Sequence, residues 1–279
     1  MGPKWIRALA LLAAAAAWAP LGAGAAEPIV LQDWWNLNAA PEGDYDYVLH
    51  LDSLRVYTGG LDHLPLLHKK TLIDGRGAIL DLQESRIMVV GDDAKLDIQG
   101  CVFLNGGNQF EPGALSYKQH ARGHVRNCVF YHNYWGLSMR TASAVETSIE
   151  NCVFLENTVY GAMLNRYAIQ PVVTCLSYRN GEGVTGGGDW YIGCDCPSDI
   201  PTPWEPPMSA GCLCLDPMFV TPSTSPMDCD FHLRMGSPCA WSGTPSGTNI
   251  GAYQEDPVVP VVLRSWGEVK GIYRLGDAR

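Results

Sequence analysis

Between residues 95 and 181 the chain alternates short apolar runs with polar turn residues, and one pattern returns four times. It reads DIQGCVFLNGG (97–107), HVRNCVFYHN (124–133), SIENCVFLEN (148–157) and VVTCLSYRNG (172–181). The cysteines at its centre, Cys101, Cys128, Cys152 and Cys175, lie 27, 24 and 23 residues apart. Such a period predicts a solenoid, in which each repeat covers the apolar face of its neighbour. Strand alternation puts each cysteine on one face with the residue two positions later: Phe103, Phe130, Phe154 and Ser177. Stacked coils then carry Cys over Cys and Phe over Phe at about 4.8 Å.

Turn chemistry agrees with short strands. Gly100, Asn127, Asn151 and Thr174 precede the cysteines, and Gly106, Asn133, Asn157 and Asn180 follow five residues later. Gly and Asn tolerate a left-handed backbone, and a column of Asn side chains can hydrogen-bond along its length. Gly136, Gly161 and Gly183 mark a further corner, followed by apolar runs at 137–139 and 162–164. The expectation is an all-β chain with little helix.

One row departs from a simple inside and outside. Val102, Val129, Val153 and Leu176, with Leu104, Tyr131, Leu155 and Tyr178, point away from the Cys and Phe column by alternation. A strand apolar on both faces is ordinarily covered on both. The outer stripe is therefore expected to be buried by the C-terminal segment or by a partner, and self-association through it is one expectation.

The remaining segments divide the chain. Residues 1–26 combine Lys4 and Arg7, an apolar stretch at 8–19 too short to span a bilayer, and a small-residue site at 23–26, the pattern of a secretory signal peptide. Residues 27–60 are read as an N-terminal cap over the open end of the solenoid. Trp34 and Trp35 within it are either packing residues or a sugar platform. Coils occupy 61–188, a Cys- and Pro-rich closing segment 189–254, and a tail 255–279. Proline removes ladder donors, so the closing segment is expected to wrap over the last coil.

Charge and cysteine content narrow the partners. Without Lys4 and Arg7, the 19 basic residues become 17 against 29 acidic ones, a formal balance of −12. Such a surface repels nucleic acid and anionic lipid. A secreted or cell-surface location with no membrane span follows from the leader and from the lack of a later long apolar segment. The column cysteines are read as small buried hydrophobes. Cys194, Cys196, Cys212, Cys214, Cys229 and Cys239 are read as disulfide partners in an oxidising compartment, with Cys229 to Cys239 one candidate bridge. A four-thiolate zinc site is the competing reading of the Cys-x-Cys pairs, and no metal is assigned.

The repeat I-x-N-C-x-F-x-x-N…G resembles that of right-handed parallel β-helix proteins of the pectate-lyase-like superfamily. TLIDGRGAILDL (71–82) is similar to their first coil. LDPMFVTP…DFHLRMGSPCAWSGTPSGTNIGAYQ (215–254) resembles the closing segment of secreted bacterial β-helix surface proteins. The resemblance implies a right-handed parallel β-helix and an extracellular glycan as ligand. It also implies two catalytic precedents, a calcium-dependent lyase and a hydrolase built on aspartates with a histidine.

Candidate chemistry falls in three groups. Asp92, Asp93 and His124 offer a faint match to the hydrolase pattern, without its other motifs. His132, Glu156 and Arg179, with Asn105, stand four residues after successive cysteines and would stack at one corner. They can act as acid and base, bind a sugar, or form a salt-bridged turn ladder. Arg140 and Arg166 form a related surface row. The expected function is a binding or structural surface module with polysaccharide as ligand. The alternative is a polysaccharide lyase or glycoside hydrolase, and calcium is the cofactor only in the lyase case.

Overall fold

A computed structural model describes residues 27–53, 55–61, 68–91, 94–110, 113–139, 147–165, 172–181, 189–192 and 209–257. The chain is a parallel β-solenoid. Each rung has a first strand, a one-residue corner, a second strand, another corner, and a third strand. First and second strands belong to one 13-stranded sheet and third strands to a 5-stranded sheet facing it.

Register follows the sequence repeat. Val129 stands beside Val102 and Val153, Phe130 beside Phe103 and Phe154, and Tyr131 beside Leu104 and Leu155, all in parallel. Phe103, Phe130 and Phe154 stack with ring centroids 4.6 and 5.1 Å apart. They form the main core with Cys101, Cys128, Cys152 and Cys175, which are free buried thiols. Each of these thiols donates to the carbonyl two residues before it, so the small buried hydrophobe is also a satisfied polar group.

The corners hold both expected chemistries, one of them displaced. Gly100, Asn127, Asn151 and Thr174 have φ of 64°, 50°, 53° and 47°, as the turn reading requires. At the second corner the left-handed residues stand one position earlier than expected: Asn105, His132, Glu156 and Arg179, with φ of 52°, 55°, 50° and 51°. Asn133, Asn157 and Asn180 instead point inward as a buried ladder. Asn133 Nδ2 donates to Asn157 Oδ1 at 3.0 Å, and Asn157 Nδ2 to Asn180 Oδ1 at 2.7 Å. Gly136 follows for a different reason: a Cβ there would collide with the carbonyl oxygen of Gly161.

The parallel register extends beyond 61–188 at both ends. Tyr45–His50 and Val56–Thr58 already pair with 71–74 and 79–81, so the cap proper is shorter than 27–60. Its helix, Leu31–Asn38, places Leu31 and Trp35 in the main core. At the other end Ser209 and Ala210 pair with Val172 and Val173, and Leu213 bridges Leu176. Gly211, with φ of 68°, takes the corner, and 209–213 form a further rung.

A strap then covers the outer stripe. Phe219, Phe231, Leu233, Cys239, Ile250 and Tyr253 build a second core with Val102, Val129, Val153, Leu155, Tyr131 and Leu176. Phe231 sits 5.3 Å from Tyr131 and 5.2 Å from Phe219, both edge-on. Of the two expected covers, the C-terminal segment is the one present. The stripe is consumed internally, so it offers no face for self-association.

Polar bonds hold the strap to the corners. Asn151 Nδ2 donates to Thr244 O at 2.6 Å, Asn151 Oδ1 accepts from Thr244 N at 2.8 Å, and Asn151 O accepts from Gly251 N at 2.8 Å. Tyr253 Oη donates to Gly77 O at 2.9 Å. Among the described residues no helix is long and apolar enough to cross a membrane.

Candidate functional site

Outward positions of the first strands line up across rungs. His50, Asp74, Gln99, Arg126 and Glu150 form one row by pairing register, and Asp97, His124 and Ser148 the row beside it. The pleat aims both rows away from the core.

Their side chains form a closed network. Asp97 accepts at Oδ2 from Tyr45 Oη at 2.7 Å and at Oδ1 from the His124 backbone N–H at 2.9 Å, with Lys95 Nζ 3.7 Å away. Ser148 Oγ donates to Glu150 Oε1 at 2.7 Å, so it accepts from His124 Nδ1 at 2.8 Å. Glu150 Oε2 meets Arg126 Nε at 3.3 Å. This fixes the His124 tautomer and leaves Nε2 as the acceptor of the ring.

Burial sets the charge states. Burial, with Arg126 and Lys95 assisting, lowers the His124 pKa from its ordinary value against the opposing pull of Asp97 and Glu150, so neutral imidazole is favoured. Burial and the bond to Asp97 push the Tyr45 phenol up to about 12. Burial tends to raise Asp74, but hydrogen bonds from Arg76, Gln99 and His50 outweigh it and hold the carboxyl below the usual range. Arg76 Nε lies 2.8 Å from Asp74, and His50 bridges Asp74 at 3.2 Å and Glu42 at 3.0 Å.

The other expected site residues fare differently. Glu156 and Arg179 do stack, with Arg179 Nη1 3.5 Å from Glu156 Oε1 and its guanidinium 5.1 Å from the Tyr178 ring centre. His132 is exposed and sits 6.0 Å from the Tyr131 ring, and Asn105 is bonded to Asp81 at 2.8 Å and to the strap at Thr224 O. At this corner one ion pair, Arg179 to Glu156, links successive rungs. Trp35 is 7% exposed and Trp34 Nε1 donates to His50 O at 3.1 Å, so both take part in packing the cap. Asp92, Asp93, Arg140, Arg166, Cys194 and Cys196 lie outside the described residues.

Two features of the closing region need correction or exclusion. Cys229 and Cys239 are free thiols, so the expected bridge between them is not formed; Cys239 is instead packed into the second core. Cys214 is disulfide-bonded. A groove of about 280 Å³ opens between strap and solenoid, with Val56, Ile79, Cys229, Asp230, His232 and Tyr253 on its walls. His232 Nδ1 donates to Asp230 at 2.6 Å, which suggests a Cys, His and Asp arrangement. Burial, with Asp230 and Asp228 nearby, pushes the Cys229 thiol up to about 11, so no nucleophilic thiolate is available near neutral pH.

The sequence reading found His124 and missed its neighbours. Asp97, His124 and Ser148 each stand four residues before a cysteine, and Gln99, Arg126 and Glu150 two before, so the signal lay in the same alignment. Tyr45 had no such signal, because it reaches Asp97 from an earlier rung. Among the described residues no group of three or more His, Cys, Asp or Glu side chains is arranged to hold a metal ion. No family model, curated protein or solved structure matches the chain.

Proposed function

We propose that the chain is an exported, non-catalytic binding or structural module whose outward polar rows engage a polysaccharide. The supporting observation is the locked state of its acid and base groups. Both oxygens of Asp97 and both of Glu150 are committed to neighbours within the network. Groups held this way present fixed donors and acceptors on rungs about 4.8 Å apart, which suits a linear polymer contacted by several rungs together.

Export rests on the leader pattern at 1–26. Membership of the secreted bacterial group within the pectate-lyase-like proteins, and a right-handed coil, belong to the same proposal. They are supported by the closing motifs at 215–254. Affinity electrophoresis of the mature chain in neutral and acidic polysaccharides tests the reading. Retardation by at least one polymer is expected, reduced about tenfold or more in a His124→Ala, Arg126→Ala double variant, in line with two lost polar contacts. Unretarded migration across both polymer classes would overturn it.

A second reading, a lyase or hydrolase, is favoured by one observation. His124 is a desolvated imidazole, held at Nδ1 by Ser148, on which the carboxylates of Asp97 and Glu150 act. Release of unsaturated or reducing ends, with and without calcium, distinguishes it from binding alone.

A further inference from the structure

The thiol column does not stop at Cys175. Ser209 pairs with Val172, Ala210 with Val173, and Leu213 with Leu176, so Cys212 takes the place of the next column cysteine although it lies 37 residues beyond Cys175 in sequence. The backbone contacts repeat as well. Cys175 Sγ lies 3.7 Å from Ile149 O of the preceding rung, and Cys212 Sγ 4.0 Å from Val172 O.

Access separates this member from the rest. Cys101, Cys128 and Cys152 are 0% exposed and Cys175 is 2% exposed, whereas Cys212 is exposed. Cys175 and Cys212 are register neighbours on the last two rungs. Residues stacked on neighbouring rungs have Cα atoms about 4.8 Å apart. That spacing falls inside the range of roughly 4.4–6.8 Å that a disulfide spans. Thiol–disulfide exchange needs an accessible attacking sulfur and a second thiol in reach to resolve the mixed disulfide. Only the last two members of the column combine these properties.

We infer that Cys212 and Cys175 form a redox-active dithiol that accepts oxidation from a small-molecule disulfide and staples the last rung to the one before it. The Cys212 sulfur attacks one sulfur of the oxidant, forming a mixed disulfide and releasing one small thiol. The Cys175 sulfur then attacks Cys212, forming the bond between rungs and releasing the second small thiol. Two protein thiols are oxidised, one disulfide is reduced, and both protons leave on the released thiols. The interior cysteines stay reduced because the oxidant cannot reach them.

The test is incubation of the native full chain with oxidised glutathione, followed by alkylation, digestion without reduction, and mass spectrometry. A peptide linking Cys175 to Cys212 is expected, with Cys101, Cys128 and Cys152 alkylated only after denaturation. Dithiothreitol should reverse the link. Cys175→Ala should retain glutathione on Cys212, and Cys212→Ala should take up none in the column. A stable glutathione adduct on Cys212 of the unaltered chain, a link from Cys212 to any other cysteine, or an unmodified Cys212 would each overturn the inference. The unaltered chain decides the matter alone if circular dichroism shows that a variant has not folded.

Discussion

The two strands of the main sheet's rung present opposite kinds of outer face. In HVRNCVFY, His124 and Arg126 point outward before the corner at Asn127, and Val129 and Tyr131 point outward after it. The first face carries hydrogen-bonding groups that satisfy one another and stay in contact with water. The second carries hydrocarbon, which is stable only when something removes it from water. The strap does so with Phe219, Phe231, Leu233 and Ile250. The same coil therefore makes a polar outer face and an internal interface one corner apart, and the difference between them lies in side-chain chemistry rather than in backbone.

The largest effect should come from emptying the covered side. Phe231 is 1% exposed, and Phe231→Ala should cost about 3–5 kcal/mol, close to the cost of Phe130→Ala in the inner column. Urea unfolding measures both. A cost below about 1 kcal/mol for Phe231 alone would show that the strap merely rests on the coil.

Next come the two asparagines of the repeated Asn-Cys-Val-Phe. Asn151 bonds to Thr244, Thr174 and Asn127 through its side chain, whereas Asn127 accepts one of those bonds. Asn151→Ala should lose about 1–3 kcal/mol, and Asn127→Ala less. Equal losses would remove the distinction between a corner that makes a turn and one that also holds the strap.

Two histidines give the faces opposite responses to pH. Burial lowers the His124 pKa in the folded chain, so its protonation favours the unfolded state and stability falls as pH drops through about 6.5. The bond to Asp230 raises the His232 pKa in the strap. Its contribution is full below about 6.5 and is lost as pH rises through the higher folded value. NMR titration should place the two on either side of that value, and coincident titrations would contradict the assignment. Arg179→Ala should change least, by about 0–1 kcal/mol, because its ion pair with Glu156 is exposed. A larger loss would mean that this ion pair holds the fold together.

Particular residues show where sequence reasoning reached. The alignment on cysteine gave the stacked Phe rings, the left-handed Asn corners and the demand for a cover on Val129 and Val153, because strand alternation is a local property. It placed the second left-handed corner one residue late, since Asn133 and His132 are both compatible with a turn and only the packing shows which one faces inward. Cys212 escaped because 37 residues separate it from Cys175, well outside the period of the other four. His124 was visible as a candidate, but its link through Ser148 to Glu150 and its nearness to Tyr45 depend on which rungs are adjacent.

The sequence by itself determined the rung: its strand lengths, its corners, its inner column and the two chemistries of its outer faces. Each follows from alternation and backbone preference over a few residues. Tertiary structure decided which segment covers the apolar stripe, which coil follows 181, and which polar side chains meet. These outcomes depend on contacts between residues such as Phe231 and Tyr131, or Tyr45 and Asp97, whose separation along the chain leaves no periodic trace.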